Sequence, residues 1–119
     1  MRSSIGNLSP ELAEKCEALA GKAPPARAWP SEKAFQADVV KEAKRTGWRF
    51  YHVRFSYQSR IGYPDLTLWR ERIIWIELKA EDGVVSPEQA EIHEELRAAG
   101  GEVYVFKPSQ WLSILDALE

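Results

Sequence analysis

Cysteine is almost missing from this chain. Among 119 residues there is one, Cys16, so an internal disulfide is impossible. Histidine is nearly as scarce. With only His52 and His93 beside that single thiol, the usual four-ligand Cys/His zinc sites cannot be built. Cys16 falls on an expected helix and reads as a packing residue. Long hydrophobic runs are absent too: no eighteen consecutive apolar residues occur, which excludes a membrane-spanning helix. The first residues lack the apolar centre of a secretory signal, so an intracellular location and no membrane partner are expected. No internal repeat or low-complexity stretch is visible.

The chain also lacks a large net charge, at −2 overall. That balance hides an asymmetry. Residues 31–60 hold seven Lys/Arg against three Asp/Glu, whereas residues 80–119 hold two against nine. A nucleic-acid binder needs a basic surface beside its site rather than a basic whole. A merely solvated charged surface would give the same counts.

The length suits one main domain with a real core. Residues 1–30 read as a separate N-terminal piece. Ser9-Pro10-Glu11 has the N-cap, N1 proline and first-turn acid of a helix start, and Gly21 ends that helix after about Ala20. A linker with three prolines follows at 21–30. Residues 31–119 form the main domain. Ser31 caps a helix to about Thr46, stopped by Gly47, with Phe35, Gln36, Val39 and Ala43 on one face. Residues 48–55 read as a first strand, in which His52 fits a half-buried strand histidine. Residues 56–63 form a basic-aromatic loop.

The most informative stretch is Gly62 to Lys79, GYPDLTLWRERIIWIELK. LTLW and IIWIEL are rich in β-branched and aromatic residues and read as two strands of a hairpin. Asp65 heads the first and Glu77 sits near the end of the second. Side chains alternate along a strand, so Glu77 and Lys79 share a face. A two-residue turn would oppose Asp65 to Leu78, on the wrong face. A three-residue turn or one bulge opposes Asp65 to Glu77, and that irregular hairpin is the expectation. Two carboxylates with Cβ atoms about 5 Å apart repel unless one is protonated or a cation sits between them. Mg²⁺ or Mn²⁺ meets that demand, with the Leu78 carbonyl as a third oxygen ligand and Lys79 aimed at the same place. Ser86-Pro87-Glu88-Gln89 then opens a helix with a capping box, Gln89 reaching back to the Ser86 amide. Glu102–Phe106 reads as a last strand, and Pro108-Ser109 starts a final helix with a heavy apolar face.

Pro64-Asp65, then Glu77-Leu78-Lys79, resembles the PD-(D/E)xK nuclease signature. With Glu32 on the first helix, Gly62-Tyr63-Pro64-Asp65 and Ser86–Gln89, residues 32–106 more narrowly resemble a virus-type replication-repair nuclease (VRR-NUC) domain. The resemblance implies an α/β fold with an αβββαβ core and a mixed sheet flanked by helices, here with an extra helix at each end. It implies that Glu32 reaches the metal directly or through water, against the alternative of an ordinary acid at a helix start. It implies that Gln89 turns toward the active site, beside its capping role.

The function so implied is a Mg²⁺- or Mn²⁺-dependent DNA endonuclease for branched, flap or junction DNA in replication, repair or phage genome processing. The location would then be cytoplasmic, in the host cell if phage-encoded. Asp65, Glu77 and Glu32 would hold the metal; Lys79 and Gln89 would complete the catalytic set. Arg60 and Tyr63, ahead of Asp65, and Arg54 and Lys33 are the candidate nucleic-acid contacts. Stand-alone relatives pair as homodimers, and Trp and Leu in the terminal helices offer a surface for that. The alternatives are an inactive DNA-binding module on the same fold and a structural α/β domain without a nucleic-acid partner.

Overall fold

The computed structural model describes residues 29–53 and 60–119. The N-terminal helix expected over 9–20, and Arg54, lie outside the described residues. The order is α1 (Glu32–Arg45), β1 (Arg49–His52), β2 (Leu66–Trp69), β3 (Ile73–Leu78), α2 (Pro87–Ala98), β4 (Glu102–Phe106), a 3₁₀ turn (Pro108–Gln110) and α3 (Trp111–Leu118). The four strands lie in the order β1-β2-β3-β4. β1/β2 and β2/β3 are antiparallel, and β3/β4 is parallel across α2. The expected αβββαβ core and mixed sheet are therefore present, as is the extra C-terminal helix. The first strand is shorter than the expected 48–55, ending at His52.

Local sequence explains the boundaries. The Ser31 hydroxyl accepts from the Ala34 amide at 3.1 Å and caps α1. Gly47, at φ 90°, turns the chain into β1 in a conformation that costs glycine little. Alternation then divides the sheet. Leu66, Leu68, Ile74, Ile76, Leu78 and Phe106 face one way and pack with Phe35, Val39 and Ala43 of α1 and Ile114 and Leu118 of α3. Trp48 closes this core, its indole N–H donating to the Leu118 carbonyl at 2.8 Å. The final helix spends its apolar face here: Ile114 and Leu118 are fully buried, and Trp111 packs on the core beside Trp29. Trp111 and Leu112 stay half-buried on α3. The opposite face of the sheet carries α2, with Ile92, His93 and Val103 buried.

Candidate active site

The hairpin decides the site. Trp69 opposes Ile73, leaving Arg70, Glu71 and Arg72 as a three-residue turn, and Leu66 opposes Ile76. One step further along the same register, Asp65 falls opposite Glu77, as the parity of the motif requires. Asp65 is held by the backbone of the other strand: the Leu78 amide donates to its Oδ2 at 2.9 Å. A strand residue directs its N–H and C=O to the same edge, so the Leu78 carbonyl also lies toward the Asp65 side. Glu77 is 2% exposed. Burial first, then the charge of Asp65 and a hydrogen bond to it, push its carboxyl up to about 8. Its Oε1 is buried without a hydrogen-bond partner among the described residues. A buried acceptor left unpaired is costly, and a bound water or ion is one way such an oxygen is satisfied.

Gln89 holds the other oxygen. Its Oε1 accepts from the Ser86 amide at 2.9 Å, while its Nε2 donates to Glu77 Oε2 at 3.1 Å. The two partners fix which way the amide points, since an N–H needs an acceptor and a carboxylate needs a donor. Capping and site roles thus coexist in one side chain. Lys79 Nζ lies 3.7 Å from Glu77 Oε2, a loose ion pair that keeps an ammonium beside the carboxylates. The loop bringing in Asp65 rests on the start of α2. At Gly62, φ is 93° and a Cβ would collide with the Glu88 carbonyl, so only glycine allows this approach. Tyr63 sits above the sheet, its hydroxyl accepting from Trp75 Nε1 at 2.8 Å.

Oxygen donors, an orphaned buried oxygen and two carboxylates in contact fit a hard divalent cation. Asp65, Glu77 and the Leu78 carbonyl would hold it. Among the described residues no three His, Cys, Asp or Glu side chains gather. Glu32 stands exposed at the start of α1, the helix that packs on the other face of the sheet. His52 is on that other face too, opposite Leu66, and its Nε2 is 2.9 Å from Gln36 Nε2. Lys33 and Arg60 are exposed. His93, one turn after Gln89, had no assigned role in the sequence. It is 2% exposed, its Nε2 has no partner among the described residues, and burial lowers its pKa with help from Arg97 and Lys79, against Asp65. The i, i+4 spacing from Gln89 was the signal that could have placed it on the site's side of α2.

A mixed sheet between helices, with opposed carboxylates and a lysine where two strands end, is a nuclease fold. A family model for the VRR-NUC domain matches residues 8–110, and the chain belongs to that family. A solved structure described as a VRR_NUC domain is 25% identical, with a TM-score of 0.60 over 72% of this chain and 94% of its own. Another, a VRR_NUC domain protein, is 23% identical, with a TM-score of 0.61 over 75% of this chain and 90% of its own. Archaeoglobus fulgidus Hjc, a Holliday junction resolvase, is 24% identical with a TM-score of 0.49 over 61% of this chain and 63% of its own. No curated protein matches the chain. No helix among the described residues is long and apolar enough to cross a membrane.

Proposed function

We propose that this chain is a divalent-metal-dependent DNA endonuclease, and that Asp65, Glu77 and Lys79 are its central residues. The observation that carries the reading is the opposed pair itself: a buried Glu77, raised to about 8 by burial and by Asp65, with one oxygen unpartnered. Membership of the VRR-NUC family supports the nuclease class.

The reaction is hydrolysis of a phosphodiester: water adds to phosphorus, one P–O bond breaks, and a phosphomonoester and an alcohol result. When bound, Mg²⁺ or Mn²⁺ would supply Lewis acidity at the phosphate and lower the pKa of water. The chain's own residues do the rest. The Leu78 amide fixes Asp65, and Gln89 fixes Glu77, so both carboxylates are oriented before substrate arrives. Lys79 offers a donor beside them, placed to stabilise negative charge developing on a phosphate oxygen or to hold the attacking water. Glu32 would reach the metal directly or through water. Arg60, Arg54 and Lys33 are the proposed phosphate contacts.

Branched, flap or junction DNA as substrate, and a paired assembly acting on it, are the finer parts of the proposal, and they rest on the family resemblance. Supercoiled and branched DNA, incubated with Mg²⁺, Mn²⁺ or EDTA, test the whole. Metal-dependent cutting, stronger on branched substrates, is expected. A mobility shift without cutting would make the chain an inactive DNA-binding module, and neither result would leave a structural domain.

A further inference from the structure

α2 covers the sheet over β3 and β4. Beyond it the same face exposes large apolar side chains: Tyr51 is 63% exposed, Ile73 53% and Trp69 40%. The register places them with the candidate site. Tyr51 opposes Thr67, and Trp69 lies between Arg49 and Ile73. Asp65, Thr67 and Trp69 alternate onto one face of β2. At 3.2–3.4 Å per residue, Trp69 is about 13 Å along the strand from Asp65. The Tyr63 ring belongs to the same strip, its hydroxyl engaged by Trp75 Nε1 and 3.4 Å from Thr67 Oγ1. Arg49 is exposed, and its side chain has no ion pair or hydrogen bond among the described residues. The flank formed by α2 is acidic, with Glu91, Glu94 and Glu95 exposed, so an anion is steered to the β1 side.

We propose that this strip seats an unpaired nucleic-acid strand running to or from the scissile phosphate. The inference rests on the nuclease reading and narrows its substrate class to DNA with a single-stranded arm. Exposed rings on a strand face offer π-surfaces to bases in any sequence, and a neighbouring arginine meets the phosphates. A paired duplex keeps its bases inside and gains nothing from the rings. A second copy of the chain fits the strip less well. Two-fold pairing through it would bring two unpaired Arg49 cations into one interface and wall off the carboxylates on the same face.

The test uses the full chain in Ca²⁺, with labelled single-stranded, forked and blunt duplex DNA read by fluorescence anisotropy, alongside sedimentation velocity. Tyr51→Ala and Trp69→Ala should each lower affinity for single-stranded and forked DNA by roughly 5- to 100-fold, with blunt duplex binding, sedimentation and melting little changed. Tyr51→Phe and Trp69→Phe keep a ring and should bind nearly as wild type. They also keep the test decisive if an alanine variant folds poorly. Unchanged single-strand affinity in the alanine variants, while the wild type cuts branched DNA in Mg²⁺, overturns the strip and leaves the nuclease reading standing. An equal loss on blunt duplex, or a wild-type dimer that dissociates in Trp69→Ala, overturns it as well. A wild type that binds none of the three DNAs overturns both readings.

Discussion

Glu77→Gln should make the metal-free protein more stable, by an amount that grows with pH. Glu77 is 2% exposed and its carboxyl is raised from 4.5 to about 8, first by burial and then by Asp65. Because the folded value lies above the unfolded one, the folded chain holds the extra proton across the window between them. Stability is then fully present below about pH 4.5 and is lost as pH rises through about 8. At 1.36 kcal/mol per unit, complete ionisation costs on the order of 3–5 kcal/mol. Glutamine is neutral throughout, can accept from Gln89 and can donate to Asp65, so it escapes that loss. The melting-temperature gap between variant and wild type in EDTA should be small at pH 5 and reach roughly 10–20 °C at pH 9. His93, whose depressed pKa makes both proteins less stable as pH falls, contributes equally to both and cancels in the gap. Adding Mg²⁺ at pH 9 should raise the wild type toward the variant. A gap that is constant from pH 5 to 9, or that narrows, would refute the assignment of Glu77 as the strained member of the pair.

Gly62→Ala forces a side chain onto the Glu88 carbonyl at φ 93° and should cost roughly 1–3 kcal/mol, read by denaturant melts, with DNA cutting reduced because the Asp65 loop is displaced. Gln89→Glu retains a capping-box residue but sets a third carboxylate against Glu77; helix content should survive while cutting falls, whereas Gln89→Ala should lower both stability and cutting. Lys79→Ala should lower the cleavage rate far more than Mg²⁺ affinity in calorimetry, since an ammonium is not a ligand. Arg60→Ala should weaken DNA binding across sequences and lower the slope of log K against log salt by about 0.9 on duplex. Arg97 is a poor control for it, because Arg97 donates to the Val103 carbonyl at 3.1 Å; exposed Lys41 on α1 serves instead.

The hairpin was legible because strand parity allows few solutions. Asp65 and Glu77 are twelve positions apart, and only a turn with an odd number of residues puts both on one face. The double use of Gln89 was half legible: the capping box is a local pattern, but the donation to Glu77 depends on how close α2 sits to β3. Glu32 was half legible in the same way. Its position at a helix start is visible in the chain, and the layer in which that helix packs is not. His93 was overlooked because one buried imidazole looks like core until its neighbours are known. The exposed strip of Tyr51 and Trp69 was hidden by the same alternation that marks strands, since period two says which residues share a face but not which face is covered.

Cleavage by Asp65→Ala and Glu77→Ala, measured on branched and supercoiled DNA in Mg²⁺ with folding verified by melting, tests the central claim most directly. Both variants should melt at or above the wild-type temperature in EDTA and cut at no measurable rate. Folded variants that cut near the wild-type rate would contradict the account.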